Sequence, residues 1–256
     1  MTSLLAPELE RYLTRRVTWI GGVTTLGLLA LASLFAGLQS RTSYQSEVEL
    51  ASFGPGMIVL AVALTGAWSY FTAASAIGSE QSSGALGTWL TFNPRRWPVY
   101  GAKLVSVVVP AAILSGVTLV AAVGWSLLVS TSSHPTAVGW MLAAAVRGVL
   151  LVMSIAALGF VLALVTRSTL GALGVLVGWL VLFVLQLLFG SAAGGYWQWI
   201  GLEWAAGEFL LNSEWRTYGQ LHSDPLAIGS AGLVWFTFIA VVVVVGGLLF
   251  ARRDID

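Results

Sequence analysis

Residues 148–166 read GVLLVMSIAALGFVLALVT, nineteen consecutive positions without Asp, Glu, Lys or Arg. A bilayer's hydrocarbon core is about 30 Å thick and a helix rises about 1.5 Å per residue, so about 20 predominantly apolar residues cross it. The stretch therefore reads as a membrane-spanning helix. Further uncharged stretches occupy 17–40, 50–79, 104–146, 168–202 and 225–251. The 104–146 stretch is interrupted by Ser130-Thr131-Ser132-Ser133-His134-Pro135, turn-forming residues followed by a helix breaker. It holds one span and the start of the next. Trimmed at their polar ends, the stretches predict spans near 17–38, 53–77, 104–130, 140–165, 169–190 and 226–250.

Composition agrees with that reading. Of 256 residues, 57% are hydrophobic and 9% charged, and the mean hydropathy is +0.88. A soluble domain carries roughly 25% charged residues. A water-soluble globule, a disordered chain and a nucleic-acid-binding domain are thereby excluded. The chain has no cysteine, which removes disulfides, thiol nucleophiles and thiolate metal sites. The fold class expected is an all-α membrane protein, a single integral domain over 1–256 with six transmembrane helices.

Orientation follows from Lys and Arg, which are retained on the cytoplasmic side. With six spans one face collects Arg11, Arg15, Arg16, Arg95, Arg96, Lys103, Arg167, Arg252 and Arg253, and the other only Arg41 and Arg216. Both termini are then cytoplasmic. An odd number of spans would place the basic tails on opposite faces. The residues ahead of the first span lack a convincing cleavage site, so that span is expected to be retained.

Three segments are not spans. Residues 3–16 predict a short amphipathic helix lying in the cytoplasmic interface, with Ser3 as cap, Pro7 in the first turn, and Leu5, Leu9, Tyr12 and Leu13 on one face. The cytoplasmic loop 78–103 is too long for a simple turn. It predicts a short helix with Leu86, Trp89, Leu90 and Phe92 on one face, ended by Asn93-Pro94, with Pro98 in the first turn of the next helix. A partner protein gripping this helix is one reading, and a lipid-surface helix anchored by Trp89 and Trp97 is the other. The extracellular loop 191–225, rich in Trp among Glu203, Glu208, Glu214 and Arg216, predicts a helix or re-entrant hairpin on the outer leaflet.

Much chemistry is missing. No Gly-x-x-x-x-Gly-Lys-Ser/Thr loop, His-Glu-x-x-His helix or Gly-x-Ser-x-Gly elbow occurs, and the only histidines, His134 and His222, fall in outside loops. Proton- or sodium-coupled carriers use ionisable groups inside the bilayer, yet no Asp or Glu lies in an expected span. Arg147 is the one embedded charge. It reads as part of a polar pathway, as a partner of Glu203 or Glu208, or as a residue snorkelling to the interface. Gly171, Gly174 and Gly178 offer close approach on the fifth span, within one subunit or across a dimer seam.

Glu80-x-x-x-Gly84-x-Leu86-x-Thr88-x-Leu90, then Thr91-Phe92-Asn93-Pro94-Arg95-Arg96 and Lys103, resembles the cytoplasmic loop of ATP-binding-cassette (ABC) transporter permeases of the type-two export family. Phe250-Ala251-Arg252-Arg253-Asp254-Ile255 is similar to that family's chain ending, and the order of interfacial helix, six spans and cytoplasmic loop matches throughout. The resemblance implies that the loop is a coupling helix docked on a separate ATPase subunit, present in two copies and binding ATP and Mg, with no cofactor on this chain. A second permease copy or paralogue completes the exporter in a prokaryotic cytoplasmic membrane. Glu80, Gly84, Leu86, Pro94, Arg95, Arg96 and Lys103 would form the ATPase interface and its support. The second and fifth spans would enclose the path, giving Trp68, Phe71, Phe183 and Gln186 a cavity role beside Arg147. The cargo implied is amphipathic or hydrophobic: a drug, antibiotic, peptide or lipid. An ATP-independent channel or carrier using Arg147, and a non-transporting anchor or sensor subunit, are the rival expectations.

Overall fold

A computed structural model describes residues 2–14, 16–42, 50–92, 96–129, 135–189, 202–211 and 225–252. All elements among them are helices: α1 (Thr2–Leu13), α2 (Arg16–Thr42), α3 (Leu50–Ser82), α4 (Ala85–Phe92), α5 (Arg96–Val129), α6 (Pro135–Thr166), α7 (Thr169–Phe189), α8 (Leu202–Leu211) and α9 (Pro225–Arg252). Five contain stretches long and apolar enough to cross a membrane: Thr18–Phe35, Phe53–Ser82, Arg96–Val129, Val138–Thr166 and Ala227–Arg252. The chain is thus a multi-pass membrane protein. In α7, where a sixth span was expected, the described apolar stretch is Thr169–Val181.

The centre of the bundle is the α3–α6 pair, the most extensive helix interface among the described residues. Between apolar lipid and an apolar helix there is little hydrophobic driving force, so membrane helices associate where small residues let backbones approach. Ala61, Ala73 and Ala74 on α3 and Ala144, Ala156 and Ala163 on α6 are all fully buried. The approach is tightest at Gly159. A Cβ there would lie 2.5 Å from the carbonyl oxygen and 3.0 Å from the Cα of Tyr70.

Around this pair the outer helices are pinned by single polar bonds. The Tyr70 hydroxyl donates to the Ala172 carbonyl (2.6 Å), bringing α7 onto α3. Trp235 Nε1 donates to Ser154 Oγ (2.8 Å), fixing α9 on α6. The Tyr100 hydroxyl donates to the Val243 carbonyl (2.7 Å), joining α9 to α5. Interhelical bonds of this kind contribute on average about 0.6 kcal/mol in a membrane, so their main effect is to fix register. The surface left over is apolar, including Trp19, Val23 and Phe35 on α2, Val120 and Leu128 on α5, and Leu233 and Val234 on α9.

Within the 78–103 segment the expected short helix forms as α4 and Pro98 falls in the first turn of α5, but the helix before them is longer than its polar residues suggest. Helix α3 runs on through Glu80 to Ser82, so the joint between α3 and α4 shrinks to 83–84, and α5 starts at Arg96. No helix breaker lies between Gly78 and Ser83, and polar Ser79 and Gln81 are compatible with helix once they leave the apolar zone. What stops α3 is Gly84, at φ +70°. The Ser83 amide bonds back to the Ser79 carbonyl and the Gly84 amide to that of Gln81, closing the last turn. The next helix starts immediately, the Thr88 amide bonding the Gly84 carbonyl. A Cβ at Gly84 would meet no neighbour, so replacement there tests the backbone alone. Gly84→Ala is expected to lower stability by about 1–2 kcal/mol, the cost of a side chain in left-handed backbone, and Gly84→Asn by less. Thermal unfolding of the purified variants checks both.

At the other end of the bundle, α8 forms inside the predicted extracellular segment and packs on α9 and α6. Phe209 stacks edge-on against Phe236 at 5.2 Å. The joint between α6 and α7 is a tight turn in which Arg167 is left-handed (φ 56°). Ser168 caps α7, its Oγ accepting from the Gly171 amide (3.1 Å).

Candidate functional site

The three ion pairs among the described residues converge at the α4 end of the bundle. Glu80 occupies the last turn of α3, Lys103 the second turn of α5, and Glu8 and Arg11 sit three apart on α1, hence on one face. Lys103 Nζ lies 2.6 Å from Glu80 Oε2 and 3.0 Å from Glu8 Oε1. The Arg11 guanidinium reaches the other Glu80 oxygen at 3.3 Å. Lys103, Glu8 and Glu80 are buried, whereas the Arg11 side chain remains 49% exposed. A small half-open cavity runs into the cluster between α1, α3, α5 and α6, floored by Ile77, Val107 and Phe160.

Burying this many charges costs several kcal/mol per ion, recovered only when every charge has a close partner. Here the ammonium bridges two carboxylates and one of those carboxylates is shared with a guanidinium. The cluster therefore holds three elements together, and removing any single buried member leaves the remainder uncompensated. One turn along α1, the buried Tyr12 hydroxyl donates to Thr72 Oγ1 (2.7 Å). Thr72 in turn donates to backbone carbonyls of its own helix at Trp68 and Ser69. Helix α1 is thus fastened to α3 at two heights.

Two further contacts continue the connection outward from the cluster. Leu86 of α4 is buried in the core, so the short helix is anchored to the bundle by an inward leucine while Thr88 and Thr91 face out. Arg96 donates to the Ala251 carbonyl (3.2 Å), tying the start of α5 to the end of α9. Among the described residues no group of His, Cys, Asp and Glu is arranged to hold a metal ion.

Compared with family models and with curated proteins, the chain matches none.

Of the residues singled out in the sequence, Glu80 and Lys103 are brought together, and Gly84, Leu86 and Arg96 are placed within the same end of the molecule. Pro94 and Arg95 lie outside the described residues. Trp68 and Phe71 stack at 5.6 Å on α3, and the Trp68 indole rests on Gly21, where any Cβ would collide with it. It fills the α2–α3 seam of its own chain. Phe183 and Gln186 belong to α7, but their side chains are outside the described atoms. Arg147 forms no ion pair with Glu208, which is buried on α8. The sequence marks Glu8 as a helix-start residue, and the resemblance places Lys103 at the ATPase interface and its support, so the pairing of the two is not foreseen. The signal available was a lysine seven residues inside a helix beginning at Arg96, with only apolar neighbours in sequence, which demands an acidic partner from elsewhere.

Proposed function

We propose that this chain is the permease subunit of an ABC exporter of the type-two family, moving an amphipathic or hydrophobic substrate across a prokaryotic cytoplasmic membrane with energy from a separate ATPase. In this reading α7 completes six spans, both termini and α4 are cytoplasmic, and α1 lies at the inner interface. Two ATPase copies bind ATP and Mg, and a second permease closes the path.

One observation carries the reading. A two-turn helix hangs from the end of α3 by a single left-handed glycine, and the same end is braced by a buried charge cluster. A load on α4 passes through Leu86 and the Gly84 joint to α3, and through Glu80 and Lys103 to α1 and α5. Such a unit moves as a rigid body, the motion that alternating access requires. The absence of an acidic residue in any expected span supports an external energy source over ion coupling. Arg11, Arg16, Arg96, Lys103, Arg167 and Arg252 share this end, which supports its cytoplasmic placement.

The test reconstitutes the chain with its ATPase in vesicles and follows ATP-driven movement of an amphipathic dye. Arg95→Glu inverts a charge on the proposed docking face and is expected to lower ATP-driven transport about tenfold, the equivalent of about 1.4 kcal/mol of lost coupling. Membrane insertion and melting temperature stay as in the parent. Transport by the chain alone, or full transport by Arg95→Glu, overturns the reading.

A further inference from the structure

Helix α1 meets the bundle through polar bonds. Glu8 reaches Lys103 on α5 (3.0 Å), while Arg11 and Tyr12 reach Glu80 (3.3 Å) and Thr72 (2.7 Å) on α3. The same three α1 residues form one wall of the half-open cavity whose other walls are α3, α5 and α6. The opposite side of α1, with Pro7 and Glu10, is exposed.

The charges of the cluster are divided so that α1 can leave. To it α1 contributes one carboxylate and one guanidinium, and the bundle contributes one carboxylate and one ammonium. With α1 docked, all four have partners. With α1 withdrawn, Lys103 keeps Glu80 at 2.6 Å, and Glu8 and Arg11, three apart on one helix, come within range of each other. Neither half is left with an unmatched charge, the condition that makes loss of a buried partner so costly. The end of α1 is closed without help from the bundle as well. The Thr14 amide donates to the Glu10 carbonyl, Thr14 Oγ1 to that of Arg11 (3.1 Å), and Thr18 Oγ1 to that of Tyr12 (3.2 Å). Three of the last carbonyls of α1 are thus satisfied at its own joint with α2.

We propose that α1 is a releasable strap. Docked, it closes the cavity between α3, α5 and α6. Released, it swings about the joint at Thr14 and uncovers the Lys103–Glu80 pair and the apolar floor of Ile77, Val107 and Phe160, while the bundle stays whole. The strap stands on this geometry, and only the use of the uncovered cavity as an entrance for amphiphilic cargo rests on the export reading.

The chain has no cysteine, so spin labels at Ala6→Cys and Ser82→Cys, both exposed positions on α1 and α3, report docking without background. Pulsed electron paramagnetic resonance on the full chain in phospholipid nanodiscs is expected to give a predominant short distance. The double variant Glu8→Arg, Arg11→Glu keeps the pair internal to α1 but sets like charges against Lys103 and Glu80. It is expected to raise the share of a longer distance at least tenfold, with a melting temperature far closer to the parent's than to that of Lys103→Met. Adding Glu80→Lys and Lys103→Glu is expected to restore the short distance, which repair of a packing defect would not explain. A short distance that persists in the double variant, a double variant that melts as low as Lys103→Met, or no restoration in the quadruple variant overturns the strap. With the partner ATPase in vesicles, the double variant is expected to need several-fold less amphipathic dye for half-maximal stimulation of hydrolysis. Release with unchanged stimulation rejects the entrance role and leaves the strap standing.

Discussion

Lys103→Met is expected to destabilise the folded chain by about 3–5 kcal/mol, because it leaves Glu8 and Glu80 buried without their shared cation. Stability alone would not distinguish this from a packing defect. The distinguishing variant is the triple replacement Glu8→Gln, Glu80→Gln, Lys103→Met, which removes the charges together and is expected to recover most of the loss, since a buried ion pair exchanged for uncharged groups is often neutral or better. Arg11→Ala makes the opposite control. Its side chain is half in solvent, where an ion pair contributes about 0–1 kcal/mol. Thermal unfolding ranks the four proteins, and protease access to the joint at Thr14 reports whether α1 has come away from α3 and α5. A triple variant as unstable as Lys103→Met would show that the cluster is not electrostatic in origin.

Gly159→Val is expected to have a comparable or larger effect. The added Cβ would stand 2.5 Å from the Tyr70 carbonyl oxygen and 3.1 Å from its carbon. These are backbone atoms of a helix and cannot swing aside as a side-chain tip can. The α3–α6 pair must separate, and the Tyr70 bond to Ala172 that holds α7 is strained with it. Overpacking of this kind costs about 1–3 kcal/mol per inserted group, and often more when backbone must move. Gly174→Ala and Gly178→Ala, where nothing lies within 4 Å, are expected to leave the isolated subunit unchanged. Melting temperatures of the three variants in one detergent check the contrast.

Helix existence was legible in the sequence because uncharged length is a direct physical requirement for crossing hydrocarbon. Helix ends were not. Residues 78–82 look polar and were read as loop, yet polarity does not stop a helix, and the left-handed Gly84 does. The short α4 and the Pro98 first turn were readable, since both rest on local turn chemistry. The charge cluster was half legible. Glu80 and Lys103 drew notice through resemblance, but the partner that joins them, Glu8, is 95 residues from Lys103, and no local pattern encodes contact over that separation. Arg147 was legible as an embedded charge, whereas the burial of Trp140 was not, because it depends on how α6 packs.

That separation between Glu8 and Lys103 has a consequence for biogenesis. The chain is synthesised from its N-terminus at about 5–20 residues per second, so roughly 5–20 s pass between the emergence of Glu8 and that of its cation. Throughout that interval the first helix can hold only to α3, through Tyr12 and Thr72 and through Arg11 and Glu80, while Glu8 waits for its cation. Emergence of the start of α5 therefore acts as a checkpoint: a nascent chain truncated before Lys103 would present Glu8 without a cation, and Glu80 with only the half-exposed Arg11, to quality-control proteases, and one extended past it would not.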